Sequence, residues 1–240
     1  MRIVVINPNT SDAMTALIDA TAQAAAGPGT TVTTVHPAMG PASIESHYDE
    51  ALAVPGLLAE IARDPDADGY VLACFGDPGL DAARELATGP VVGIAEAAMR
   101  TASYLGRGFS VVTTLGRTRG RALDLAEHYG CARACLAVRA VEIPVLDLED
   151  PGAAEAVTKE CAAAVAEDGC DAIVLGCAGM ADLAARVSAE IGVPVVDGVA
   201  AAVRTVESLV AMGLRTGDRG EFARPPAKPY TGLLQDFQIR

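Results

Sequence analysis

Asp68-Gly-Tyr-Val-Leu-Ala-Cys74-Phe-Gly-Asp-Pro-Gly-Leu-Asp-Ala-Ala-Arg84 is matched later in the chain by Asp171-Ala-Ile-Val-Leu-Gly-Cys177-Ala-Gly-Met-Ala-Asp-Leu-Ala-Ala-Arg186. Each stretch runs from an aspartate through an apolar segment to a cysteine, then through small residues into an alanine-rich segment. The sequels repeat too: Pro90-Val-Val-Gly-Ile-Ala-Glu-Ala-Ala-Met-Arg-Thr101 corresponds to Pro194-Val-Val-Asp-Gly-Val-Ala-Ala-Ala-Val-Arg-Thr205. The chain therefore reads as two copies of one unit, with a thiol at the same point of each.

Further apolar runs lie on either side: Ile3 to Ile6, Thr31 to Val35, Tyr70 to Ala73, Val91 to Ile94, Phe109 to Thr113, Val138 to Val141, Ala172 to Gly176 and Val195 to Val196. Unbroken apolar strands alternating with helical stretches indicate βαβ units and parallel sheets covered on both faces. The fold class expected is α/β: two pseudo-symmetric lobes, each a parallel β-sheet flanked by helices, with the active site in the cleft between them. The expected division is 1–98 with 207–240 for the N-terminal lobe and 99–206 for the C-terminal lobe, sizes within the usual domain range. The tail from 207, which has no counterpart in the first copy, would return to the first lobe. The helices after Pro90 and Pro194 would cross between lobes. Thr10-Ser11-Asp12 offers N-caps, and Asp150-Pro151 places a proline at a first helical position.

Of the 240 residues, 51% are hydrophobic and 20% charged, a balance that excludes a disordered chain. A net charge of −13 disfavours polyanionic partners, so neither nucleic acid nor an anionic membrane is expected. The apolar runs fall far short of the roughly 20 residues that a membrane-spanning helix needs. No signal-peptide pattern opens the chain, so the expected location is cytoplasmic. The six cysteines are then free thiols. Cys131 and Cys135, with His128 upstream, lack a fourth ligand, so no metal is expected. No dinucleotide or phosphate-loop glycine motif is present, and no cofactor is expected.

Ligands of parallel α/β sheets bind at the carboxyl ends of strands, where Cys74 and Cys177 both fall. A helix N-terminus at that point would lower a thiol's pKa. The N–H groups of Phe75, Gly76, Ala178 and Gly179 are candidates to stabilise an oxyanion on a bound substrate. Two equivalent thiols across one cleft suit proton transfer at a carbon held between them, one removing a proton and the other supplying one to the opposite face. With each sulfur about 3.5 Å from that carbon, the two would be about 7 Å apart. Buried structural cysteines at strand ends are the plain alternative, and the repetition tips the balance toward chemistry. Asn9, after the first strand, is a candidate substrate contact or a turn residue, as are Thr113 and Thr114 at the equivalent point of the second copy. Ser43, Glu45 and Tyr48 lie in a Gly/Pro-flanked loop able to close over the cleft.

Ile6-Asn-Pro-Asn-Thr10, Gly40-Pro-Ala-Ser-Ile-Glu45, Leu72-Ala-Cys74-Phe-Gly-Asp-Pro-Gly79 and Val174-Leu-Gly-Cys177-Ala-Gly-Met180 together resemble the aspartate/glutamate racemase superfamily of cofactor-independent racemases. Within it they resemble the hydantoin racemase branch, along essentially the whole chain. The resemblance implies two-base catalysis by Cys74 and Cys177 without pyridoxal phosphate or metal. It also implies a small-molecule substrate, a 5-substituted hydantoin or the related allantoin, and a homo-oligomer. Glutamate racemases, as the family pattern has it, carry Asn-Thr and Thr-His after their cysteines, where this chain has Phe75-Gly76 and Ala178-Gly179. A neutral cyclic diamide suits the plainer pair better than a charged amino acid. Arylmalonate decarboxylases lack the first cysteine, whereas maleate isomerases keep both and stay open as an alternative. So does a two-lobed module that binds a small ligand without chemistry.

Overall fold

The structure, a computed structural model, describes residues 1–239. Among the described residues, eight strands form two all-parallel sheets of four. In the first, β1 (Arg2–Ile6), β2 (Thr31–Val35), β3 (Gly69–Leu72) and β4 (Val91–Gly93) are ordered β2-β1-β3-β4. In the second, β5 (Phe109–Thr113), β6 (Cys135–Ala140), β7 (Ala172–Leu175) and β8 (Val195–Val196) repeat that order as β6-β5-β7-β8. The duplication read from the sequence is thus one of topology.

All eight apolar runs are strands, with ends shifted by a residue or so, except that β6 begins at Cys135 and not Val138. A register shift between Phe109 and Ser110 lets Phe109 pair with Cys135, which lengthens this edge strand backward. The central strands are buried on both faces, Ile3, Ile6, Tyr70, Leu72, Val111 and Ile173 being wholly inaccessible. Burying each large aliphatic side chain contributes about 1.5–3 kcal/mol. The aspartate opening each repeat anchors its lobe's first strand. Asp68 accepts the Arg2 N–H at 2.6 Å, and Asp171 accepts those of Arg107 and Gly108 at 2.7 and 3.1 Å.

The helices are α1 (Asp12–Ala25), α2 (His47–Arg63), α3 (Leu80–Leu86), α4 (Ile94–Ala102), α5 (Arg119–His128), α6 (Ala153–Asp168), α7 (Ala184–Ile191) and α8 (Gly198–Ala211). Ser11 caps α1 by accepting the Met14 N–H. Pro151, in contrast, lies outside α6: a turn from Asp150 to Ala153 precedes the helix, and Gly152, left-handed at φ 96°, is its cap. Pro151 therefore takes a turn position and not the first helical one.

Helices α4 and α8 change partners. Starting from β4 of the first sheet, α4 packs on β7, β8 and α5, while α8 starts from β8 and packs on β3, β4 and α1. The two also pack on each other. The boundaries expected at 98/99 and 206/207 fall inside these helices. Beyond 206, the Glu207 carboxylate accepts the Gly27 N–H at 2.7 Å and the Thr30 hydroxyl at 2.5 Å, and the Thr216 hydroxyl donates to the Gly89 carbonyl. Arg240, the last residue of the expected N-terminal lobe, lies outside the described residues. No described helix is long and apolar enough to cross a membrane.

Candidate active site

A cavity of about 190 Å³ lies between the carboxyl ends of the two sheets. Its floor comes from equivalent strand ends: Asn9 after β1, Ala73 and Cys74 after β3, Thr113 and Thr114 at β5, Gly176 and Cys177 after β7. Both cysteines are half-buried free thiols on its wall. Of the other residues singled out in the sequence, Glu45, Phe75, Gly76 and Ala178 also line it.

Two do not. Ser43 is off the wall because the chain turns into α2 at Ser46, presenting Ile44, Glu45 and Ser46 to the cavity in its place. Gly179 lies behind Cys177, where its N–H donates to Cys177 Sγ at 3.4 Å. Tyr48 is 73% exposed and also off the wall. Asn9 fills the turn role considered for it and also lines the cavity. Its Oδ1 accepts from Ser11 N–H and from Asn7 Nδ2, a turn function. Its Nδ2 faces only the Met14 sulfur, a weak acceptor that a ligand carbonyl can replace. Thr113 donates to the Gly176 carbonyl and meets Thr118 Oγ1, tying the ends of β5 and β7 together.

The environment of the thiols reverses one expectation. No helix starts at Cys74: a tight turn intervenes, with Asp77 left-handed at φ 44°, and α3 begins only at Leu80. At Cys177 the following segment, Ala178–Leu183, is a 3-10 turn. Burial pushes Cys74 up to about 12, with the Gly76 N–H opposing, while Cys177, Glu50 and Asp77, each when ionised, push the same way as burial. Burial likewise pushes Cys177 up to about 11, opposed by the Gly179 N–H and reinforced by Glu45. The nearby N–H groups favour thiolates, as expected, but desolvation is the larger effect. Both groups rest as neutral thiols at pH 7.

Apart from Glu45, the rest of the wall was hidden in the sequence. Glu45 accepts the Val145 N–H at 2.6 Å, bridging the loop before α2 to the second lobe. His47 and Glu50 come from α2, Arg117 and Thr118 from the turn before α5, and Arg121 from α5. Burial raises the Glu50 carboxyl above its ordinary range, with Arg121 and His47 opposing. As lone charged residues on helices, nothing in their local sequence marks them as other than solvated; only the meeting of the lobes does. Among the described residues no cluster has the makings of a metal site.

Two matching βαβ halves with a cysteine-bearing cavity at their strand ends define a class, and comparison with known proteins identifies it. The profile of the family described as Asp/Glu/Hydantoin racemase matches residues 3–206, and the chain belongs to that family. It is an isomerase of the racemase kind. A hydantoin racemase of Pseudomonas sp. (strain NS671) is 47% identical over 99% of this chain and 97% of its own. The structure of an allantoin racemase from Klebsiella pneumoniae is 52% identical, with a TM-score of 0.96 over 99% of both chains. That of an allantoin racemase from Pseudomonas fluorescens is 40% identical, with a TM-score of 0.93 over 97% of this chain and 100% of its own.

Proposed function

We propose that the protein racemises 5-substituted hydantoins, allantoin among them, with Cys74 and Cys177 as the two bases at C5. The observation that carries this reading is the placement of both thiols in the lining of one cavity at equivalent strand ends, one from each sheet. One sulfur, as thiolate, takes the C5 proton. The electron pair moves into the adjacent ring carbonyl, whose oxygen accepts N–H groups of the cavity wall. The opposite thiol then delivers its proton to the other face of C5, leaving the charge on its own sulfur. Asn9, Phe75, Gly76, Thr113, Thr114 and Ala178 hold the ring, while Ser43 and Gly179 act from behind the wall. The enzyme is read as a cytoplasmic homo-oligomer, with the lobes divided at 98/99 and 206/207.

Incubating one enantiomer of allantoin, and of several 5-substituted hydantoins, should bring optical rotation to zero, with deuterium entering C5 in heavy water. Unchanged rotation and no exchange with every compound would overturn the reading in favour of a binding module.

The raised thiol pKa values set a pH dependence with a definite sign. Below about 11 the fraction of enzyme with one thiolate and one thiol grows about tenfold per pH unit. The logarithm of kcat/KM should therefore climb with a slope near unity from about pH 7 to pH 9. A plateau or falling limb in that interval would contradict neutral resting thiols.

A further inference from the structure

The two thiols are supported in different ways. At Cys177 the support is internal: the Gly179 N–H reaches the sulfur within the 3-10 turn that Cys177 itself caps. At Cys74 the turn is closed by the Asp77 N–H donating to the Cys74 carbonyl at 3.0 Å, with the Gly76 N–H favouring the thiolate, and this turn is held from the other lobe. Arg121 on α5 donates Nη2–H at 2.7 Å and Nε–H at 3.2 Å to the Gly76 carbonyl. The same Nε lies 3.6 Å from the Glu50 carboxylate of α2. Glu50 fills the space on Gly76's open side, so any side chain there would collide with its carboxylate. The turn is thus clamped between an arginine of one half and a glutamate of the other.

We propose that Arg121 is a positioning residue for Cys74 and not for Cys177, its grip on the Gly76 carbonyl fixing the Gly76–Asp77 peptide, whose N–H closes the turn onto the Cys74 carbonyl, and thereby the place of the Cys74 sulfur in that turn, only while the two lobes are together. The planar fork of a guanidinium suits this task, since two donors converging on one carbonyl oxygen hold it more firmly than one. Lysine keeps the charge but not the fork. The inference rests on the racemase reading for its catalytic meaning, but its effect on thiol reactivity stands apart from any substrate.

The test measures iodoacetamide alkylation of Cys74 and Cys177 separately, by peptide mass spectrometry, across pH. In Arg121→Gln, loss of a hydrogen bond to the charged form should slow Cys74 alkylation about tenfold at pH 8. Cys177, the internal control for an intact cavity, should stay within about twofold. Arg121→Lys should recover part of the rate. The charged or titratable groups facing Cys74 are Cys177, Glu50 and Asp77. Of these only Glu50 loses a partner in Arg121→Gln, so the double variant Arg121→Gln/Glu50→Gln separates charge from positioning. It should remain slow at Cys74, and full recovery would overturn the carbonyl role. Equal slowing of both cysteines, or no change at Cys74, would overturn the proposal outright. The second arm follows deuterium exchange in single-cysteine enzymes: Arg121→Gln should depress exchange in the Cys177→Ser background and spare it in Cys74→Ser. If the unsubstituted enzyme exchanges no proton from any substrate, the racemase reading fails and the alkylation arm judges Arg121 by itself.

Discussion

Cys74→Ser and Cys177→Ser should each lower kcat/KM for racemisation by about 1000-fold or more, equally in both directions, while each variant should still exchange the C5 proton of one enantiomer with solvent. The size follows from removing a positioned acid–base group, worth roughly 100- to 10,000-fold, and from the far weaker acidity of a hydroxyl. The equality follows from thermodynamics. Enantiomers with a single stereocentre have the same free energy in water, so the ratio of forward to reverse kcat/KM must be unity in every variant. One lost thiol therefore cannot spare one direction. Proton exchange is not so bound, because removal and return on the same face need only the surviving sulfur. Chiral chromatography and deuterium incorporation, measured on each enantiomer, check the pair of expectations. Full racemisation by either variant would dismiss the two-base assignment.

Asp77→Ala should cost about 3–5 kcal/mol, and adding Gly93→Asp should restore much of it. Asp77 is buried, and its carboxylate accepts the Ala95 and Glu96 N–H groups at the start of α4 and the Tyr129 hydroxyl at 2.6 Å. Each orphaned buried donor costs about 1–3 kcal/mol. In the second copy the same service to α8 comes from Asp197, whose carboxylate accepts the Val199 and Ala200 N–H groups. The residue aligned with Asp197 is Gly93, and a side chain built on Gly93 would fall on the Asp77 carboxyl. The first copy thus delivers its carboxylate from a distant turn into the space a side chain at 93 would fill. Gly93 and Asp197 share extended backbones, φ −81°, ψ 148° and φ −85°, ψ 131°, so aspartate at 93 meets no strain. Urea midpoints at pH 8, above the value of about 6 to which burial pushes Asp77, report the capping of the ionised form. A double variant no more stable than Asp77→Ala would refute the exchange of caps.

The strands and the thiols were legible because both rest on local signals: β-branched runs are what doubly covered parallel strands require, and the cysteines repeat in register. Asp197 likewise reads as a cap from its neighbours alone. Asp77 does not, since the helix it caps begins sixteen residues downstream, at Gly93–Ile94. Glu50 and Arg121 look like any solvated helix charges until α2 and α5 face each other over Gly76. The ionisation of the thiols was misjudged for a related reason. A local argument counts the N–H groups beside a sulfur, but the cost of desolvating it depends on everything the second lobe covers.

The partner change of α4 and α8 has a consequence for what counts as a unit. A chain ending after the first copy would leave β3 and β4 bare where α8 lies, and would extend α4 with nothing beneath it. Two such chains could satisfy each other by trading those helices, the arrangement of a domain-swapped dimer. This polypeptide is built like such a dimer with its subunits joined end to end, and its cavity sits where their interface would run. Neither half can loosen without uncovering the other, so the molecule's smallest cooperative piece is the whole of it.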